Sequence, residues 1–374
     1  MQENNKGKRA LVDASRLIIE SMARAGADAF IGYPITPANL LYQYGSQRMP
    51  LMLAAPDEIT TLQWMTGLAA AGKVPITATS FPGYALMIES VNMAYMMELP
   101  MVIILVQRLG PATGTATCGA QGDLSLLKGN ISGGHPMPVF CTSNFEDSWT
   151  LSAKAVETAI KLRTPVILLT SKEEVMTTKS FDMDALPAIE MVERKYYDMQ
   201  CDGKYKSYKA TDLVPDFLPV TQSKHQVRIN ASTHDKEGIL QHSNEEAMAN
   251  TQRLEDKIRH KLFEYTLYDY HEVKEAQKLV VAFGITAAAA RDAVKELEKQ
   301  GEKVSLLIPK TMIPAPEVYM EIMDSYAKVV VAEENINNQF SDMLYGIRKP
   351  KNHHFVGALG KMITPQQIIE EVQA

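Results

Sequence analysis

The sequence predicts an α/β protein built from two parallel-sheet units, and three observations lead there. From residue 9 to about 177, helix-patterned stretches alternate with short strands that are apolar at nearly every position, as in a parallel sheet covered on both faces. From Lys278 the same alternation resumes on a smaller scale. Between them lies a Pro-bearing, highly charged stretch without a sustained period. The predicted organisation is a flexible tail at 1–8, an α/β unit at 9–177, an excursion and helix at 178–272, and a C-terminal α/β unit at 273–374.

Taken in order, Ala10 to Ala25 reads as a helix, with Leu11, Leu17, Ile18 and Met22 near helical spacing. Val74 to Ala78, Met101 to Val106 and Pro165 to Thr170 read as buried strands, and Asp147 to Leu162 as a helix carrying Leu151, Ala155 and Ile160. From Phe181 to about Lys224, with Pro187, Pro215 and Pro219, short strands at most are expected. Asn244 to Tyr265 recovers a helix with Leu254, Ile258 and Leu262 on one stripe. In the C-terminal unit, strands are predicted at Lys278 to Gly284, Val304 to Pro309 and Lys328 to Glu333, with a helix at Thr286 to Lys299.

Composition narrows the function. A length of 374 residues, 46% of them apolar, supports two or three domains, and a net charge of −6 argues against a nucleic-acid groove. The polar Met1 to Lys8 lacks the apolar core of a signal peptide, and the longest apolar runs are only strand-length. Cys118, Cys141 and Cys201 fit neither a zinc nor an iron–sulfur spacing, nor a disulfide framework. A reduced, cytoplasmic protein without a membrane span is expected. The 21 methionines suit adaptable packing at cores and subunit contacts.

Four turns follow apolar stretches within the first 111 residues: Gly32-Tyr33-Pro34-Ile35-Thr36-Pro37, Pro56-Asp57-Glu58, Thr77 to Gly83, and Gln107-Arg108-Leu109-Gly110-Pro111. Pro34 and Pro37 fix the backbone on either side of Thr36. Such turns at strand ends imply a site assembled along one edge of a sheet. Glu58 also suits a helix start, where a carboxylate favours the macrodipole, and Asp57 reads as the solvated member of that pair. Arg108 offers a guanidinium fork to a carboxylate, or else a solvated strand end. Thr77, Thr79 and Ser80 read equally as lining groups or as ordinary strand and turn residues.

These motifs, in this order, resemble the α subunit of 2-oxoacid:ferredoxin oxidoreductases, thiamine-diphosphate enzymes that oxidise 2-oxoacids to acyl-CoA. The resemblance rests on Tyr33 to Pro37, Glu58-Ile59 ahead of the small-residue run Gly67 to Gly72, Thr77 to Gly83 with Leu86-Met87, and Gln107 to Gly114 with Gln121 to Leu124. It resumes at Ser232 to Gly238 and in the C-terminal unit, and so spans nearly the whole chain.

The resemblance implies a pyrimidine-type thiamine-diphosphate-binding domain followed by a smaller transketolase-C-like α/β domain. It implies that Glu58 bonds to the cofactor's aminopyrimidine ring, so that the cofactor's own amine can take the proton from C2. Ile59, Leu62 and Trp64 would give Glu58 an apolar setting. It places Arg108 on the substrate carboxylate, Thr36 near the reacting carbonyl, and Pro34, Ile35, Thr79 and Ser80 beside the cofactor. In one departure, many members carry an acid two positions before this glutamate, where this chain has Pro56.

Such enzymes hold the diphosphate through Mg²⁺ on a Gly-Asp-Gly segment with a later Asn. Cys201-Asp202-Gly203 with Asn230 comes nearest, but it lacks the first glycine and a leading strand. No metal site is therefore expected on this chain. The resemblance assigns Mg²⁺ and the diphosphate to a β subunit and the iron–sulfur clusters to partner subunits, with γ and ferredoxin-like δ subunits as further candidates. Ferredoxin would take the electrons and CoA the acyl group, and α dimerisation within the complex is expected.

His234-Asp235 reads as a loop-fixing pair, and the tandem His353-His354 faces opposite ways on a strand. Glu333-Glu334-Asn335 reads as a solvated strand end in the subunit-contacting unit. The favoured substrate is 2-oxoglutarate, with branched-chain 2-oxoacids next. A subunit of a non-oxidative thiamine-diphosphate decarboxylase and a non-catalytic assembly subunit remain as alternatives.

Overall fold

The computed structural model describes residues 9–198, 200, 203–220 and 225–374. The predicted tail at Met1 to Lys8, Cys201 and Asp202 lie outside the described residues. The chain opens with β1 (Arg9–Val12), α1 (Ala14–Ala25), β2 (Ala29–Gly32), α2 (Asn39–Arg48), β3 (Leu51–Ala54) and α3 (Glu58–Ala70). It continues with β4 (Pro75–Thr79), α4 (Phe81–Met96), β5 (Met101–Gln107), α5 (Leu124–Lys128), β6 (Val139–Cys141), α6 (Phe145–Leu162), β7 (Pro165–Ser171), α7 (Lys172–Met176) and β8 (Lys179–Asp182). After the excursion come α8 (Glu245–His260), β9 (Tyr268–His271), β10 (Lys278–Ala282), α9 (Thr286–Lys299) and β11 (Val304–Pro309). The last elements are β12 (Thr311–Ile313), α10 (Val318–Asp324), β13 (Lys328–Glu333), α11 (Gln339–Tyr345), β14 (His353–Gly357) and α12 (Pro365–Gln373).

The first sheet has the order β12-β6-β7-β5-β4-β2-β3 and is parallel from β6 to β3. Strand β5 shows why these residues form it: Met101, Ile103 and Leu105 enter one core while Val102, Ile104 and Val106 enter another, so every position is apolar. Helices α1 and α6 cover the second core, and their starts are fixed by side-chain caps. Asp13 accepts from Arg16 N and Asn144 from Asp147 N. The second sheet runs β14-β13-β10-β11-β9, with only β9 antiparallel. One face, with Val281, Phe283, Leu307 and Val331, joins the core under α3 and α4; the other lies under α9 and α12. The two units therefore share one continuous core.

Two elements depart from expectation. Residues 9–12 form β1, paired antiparallel with β8, rather than the first turn of a helix, which starts only at Ala14. Asp13, extended and capping Arg16 N, sets that start. Strand β12, from beyond Lys278, adds antiparallel to β6 and completes the first sheet.

A buried charge knot fastens α8 to the first unit. Glu98, fully buried, accepts from Lys257 Nζ at 2.7 Å and from Arg253 Nη1 at 3.1 Å. Burial pushes the Glu98 carboxyl up, but the two cations outweigh it and hold it at about 2. The His234 loop is fixed as expected, with Nδ1 bonded to Ser232 O at 2.7 Å and Nε2 facing Asn250 Nδ2 at 3.1 Å. No helix among the described residues is long and apolar enough to cross a membrane.

Candidate active site

The four predicted turns lie at the carboxyl ends of β2, β3, β4 and β5, four neighbouring parallel strands. Their order in the sheet brings them to one edge, where open α/β sheets take ligands. Two pairs of candidate residues meet there.

The first pair is Glu58 and Thr79. Asp57 caps α3 by accepting from Thr60 N at 2.6 Å, which holds its own carboxyl below the usual range. Glu58 follows as the first helical residue, 7% exposed, and among the described residues its carboxylate has no hydrogen-bond partner. Gly83, in the first turn of α4, makes room for it. A Cβ there would lie 2.3 Å from Thr79 Oγ1 and 2.6 Å from Glu58 Oε1. Ser80, fully buried, keeps its Oγ unpaired, as does Thr77 at the same strand end. The unpaired buried hydroxyls of Thr77 and Ser80 are costly unless a ligand engages them.

The second pair is Arg108 and Thr36. The Arg108 Nη1 donates to the Thr36 backbone carbonyl at 2.6 Å, which ties the end of β5 to the turn after β2. The Thr36 hydroxyl accepts from Asn39 Nδ2 at 3.3 Å. Arg108 is 7% exposed, and its buried Nε has no partner. Burial lowers the guanidinium from its ordinary value, while the Asp123 carboxylate opposes that. Pro34 is exposed and Ile35 half-buried on the same turn.

The setting of Glu58 differs from the expected one. Leu62, one turn along α3, is fully buried, but Ile59 and Trp64 are 44% and 41% exposed. Glu333, Glu334 and Asn335 are likewise not solvated: all three are buried, Glu334 and Asn335 bind Gln121 in the segment that follows the Arg108 loop, and Glu333 accepts from Asn335 Nδ2 and Phe340 N. Sequence reasoning missed the space at Gly83, although a glycine in the first turn of a helix, where Ala is the better helix former, was a readable signal. It also did not single out Gln107 and Asp123, polar residues of the quoted motifs that are buried. Among the described residues no group of three or more His, Cys, Asp or Glu could hold a metal ion.

Residues 20–253 match the family model described as pyruvate flavodoxin/ferredoxin oxidoreductase, thiamine diphosphate-binding, and residues 276–368 match pyruvate:ferredoxin oxidoreductase core domain II. The chain is 27% identical to 2-oxoglutarate synthase subunit KorA of Methanocaldococcus jannaschii, over 90% of this chain and 91% of that one. It is 26% identical to ketoisovalerate oxidoreductase subunit VorB of Methanothermobacter thermautotrophicus, over 97% of each. Among solved structures, 2-oxoglutarate:ferredoxin oxidoreductase from Magnetococcus marinus, with 2-oxoglutarate, coenzyme A and succinyl-CoA bound, superposes with a TM-score of 0.91 at 26% identity. That match covers 98% of this chain and 65% of the other. With the first model alone spanning more than half of its length, the chain belongs to the pyruvate flavodoxin/ferredoxin oxidoreductase family.

Proposed function

We propose that this chain is the α subunit of a heteromeric 2-oxoacid:ferredoxin oxidoreductase that converts a 2-oxoacid and CoA to acyl-CoA and CO₂. The observation that carries the reading is the Glu58 side chain, 7% exposed, in the space kept open by Gly83 at the strand end that bears the unpaired Thr77 and Ser80 hydroxyls. Its donor set fits the aminopyrimidine end of thiamine diphosphate: a carboxylate for a ring nitrogen, with the Thr79 and Ser80 hydroxyls beside it. When bound, thiamine diphosphate supplies the carbanion chemistry that cleaves the bond next to a ketone.

With the cofactor bound, the Glu58 carboxyl would share a proton with the ring nitrogen. Arg108, already tied by one nitrogen to Thr36, offers its remaining donors to the 2-oxoacid carboxylate, and Thr36 lines the space by the ketone. The neutral loop from Leu109 to Ala120, rich in Gly, Ala and Thr, permits close approach of the substrate. The diphosphate with its Mg²⁺ and the iron–sulfur clusters belong, in this reading, to partner subunits, with ferredoxin as electron acceptor. The named relatives favour 2-oxoglutarate, with a branched-chain 2-oxoacid as the second candidate.

The test is purification of the native complex and assay of CoA-dependent acceptor reduction with a panel of 2-oxoacids. Turnover with 2-oxoglutarate above the others is expected. Decarboxylation without acceptor reduction would support the non-oxidative alternative, and no turnover with any 2-oxoacid would refute the enzyme reading.

A further inference from the structure

Among the described residues three buried polar atoms beside the candidate substrate site have no hydrogen-bond partner, Gln107 Nε2, Arg108 Nε and Asp123 Oδ2, and the Asp123 carboxyl lies close enough to feel both the Gln107 amide and the Arg108 guanidinium. Asp123 is 4% exposed. It precedes the short helix α5, yet its side chain does not cap that helix, so the ordinary structural role of such an aspartate is missing. Burial pushes its carboxyl up to about 7, while the Gln107 amide and the Arg108 guanidinium facing it pull the other way.

The C-terminal unit fixes where Asp123 sits. Gln121 Nε2 donates to Phe283 O at 2.8 Å, and Gln121 Oε1 accepts from Thr286 Oγ1 at 2.6 Å and Glu334 N at 2.8 Å. The Gln121 backbone N–H donates to Glu334 O at 2.9 Å, and its carbonyl accepts from Asn335 Nδ2 at 2.9 Å. Gln339 Nε2 donates to Gly122 O at 3.0 Å. Gly284, with φ of +57°, lets the strand β10 end approach so closely that a Cβ there would lie 2.6 Å from Gln121 Nε2.

We propose that Asp123 is a positioning residue that holds the Arg108 guanidinium turned toward the substrate carboxylate, and that the C-terminal unit sets its place through Gln121. This rests on the reading of Arg108 as the carboxylate-binding group. Among the described residues the Arg108 side chain makes a single hydrogen bond, to Thr36 O, and a long side chain held at one nitrogen keeps rotational freedom. A buried opposite charge acts strongly in a low-dielectric setting and selects one orientation. The substrate then meets a preformed fork, and less ordering is left to binding. The C-terminal unit, which places none of its own candidate residues in the substrate site, thereby governs substrate affinity.

The orientation depends on the ionised Asp123. Its neighbours across Gln121 include Glu333 and Glu334, which burial also pushes up to about 7, with the Glu173 charge adding to the rise at Glu334. Lys128, at the far end of α5, is engaged with Met343 O at 3.0 Å. Only a substitution at Asp123 itself separates these groups.

The experiment uses the complex reconstituted with its partner subunits and measures KM and kcat for the preferred 2-oxoacid between about pH 6 and 9. Asp123→Asn is expected to raise KM at least about tenfold with kcat within about threefold, the split that marks lost substrate binding. Thr286→Val removes one bond to Gln121 at nearly constant volume and is expected to raise KM about threefold. In the parent complex KM should climb as pH falls through about 7, because protonation removes the charge facing Arg108. In Asp123→Asn it should be high and flat. If Asp123→Asn does not assemble, Thr286→Val decides the matter, and an unmoved KM there overturns the proposal, because the parent's pH profile does not separate Asp123 from Glu333 and Glu334. An unmoved KM in these variants, alongside a raised KM in Arg108→Lys, overturns the proposal and leaves the Arg108 reading standing. An unmoved KM in Arg108→Lys overturns the Arg108 reading itself. A lower melting temperature with KM and its pH profile unchanged makes Asp123 and Gln121 structural only.

Discussion

Gly83→Ala probes the candidate cofactor site with a single methyl group. The added Cβ would sit 2.3 Å from Thr79 Oγ1, 2.6 Å from Glu58 Oε1 and 2.8 Å from Glu58 Cγ. Ordinary contact begins at 3.4 Å, so Glu58 and Thr79 must each give way by an amount approaching 1 Å. Overpacking of this kind costs about 1–3 kcal/mol, and the better helix propensity of Ala returns about 0.5–1 kcal/mol of it. Net destabilisation should therefore be small, below about 2.5 kcal/mol. Displacement of a reacting group by ~1 Å costs about 10²-fold in rate, so kcat/KM should fall by about that factor while the subunits still assemble. Gly67→Ala is the control. It lies in the exposed face of α3 with nothing within 4 Å of its Cβ, and should leave the isolated chain equally or more stable. Turnover of the reconstituted Gly83→Ala complex is compared with the parent, and melting temperatures are taken for both variants. Parental kcat/KM in Gly83→Ala would refute the view that this glycine keeps the space in which Glu58 works.

Glu58→Gln keeps size but cannot share a proton with the cofactor ring, so C2 hydrogen–deuterium exchange of bound cofactor should slow by ~10²- to 10⁴-fold with assembly intact; parental exchange rates would return Glu58 to a helix-start role. Arg108→Lys keeps charge but loses fork geometry, and KM for the 2-oxoacid should rise while cofactor affinity stays. The purified single chain, without partners, should fold and show no 2-oxoacid oxidation, and robust activity would refute the subunit assignment. Lys257→Met leaves the fully buried Glu98 with one cation fewer and should cost about 3–5 kcal/mol in a denaturant titration. Because Glu98 is held at about 2 rather than its ordinary 4.5, its contribution to stability is present above about pH 4.5 and is lost as pH falls toward 2.

The parallel cores were legible in the sequence because strands buried on both faces carry apolar residues without alternation, as Met101 to Val106 does. The four turns were legible because Pro, Thr and Gly gather where strands end. Strand β1 was not: Leu11, 71% exposed, falls in helical phase with Leu17 and Ile18, and its partner β8 lies far along the chain. Strand β12 is three residues between Lys310 and Pro314, too short to carry a period. At the site, Glu58 and Arg108 could be singled out by type and place, but not the burial of Asp123, Glu333 and Glu334. Acids in loops read as solvated, and only tertiary packing against Gln121 and Arg108 reverses that expectation.

The contribution of β12 to the first sheet reaches into biogenesis. Strand β6 is wholly buried, and until residues 311–313 leave the ribosome its outer edge has no antiparallel partner. An unprotected edge of this kind is a template for pairing with other chains. The first unit therefore cannot finish as an autonomous domain during synthesis, and a fragment cut before β10 should be prone to aggregate. Pairing across so long a stretch of chain also slows folding. The same strand, once seated, staples the two units together, so rocking of one unit on the other is resisted by backbone hydrogen bonds as well as by the shared core.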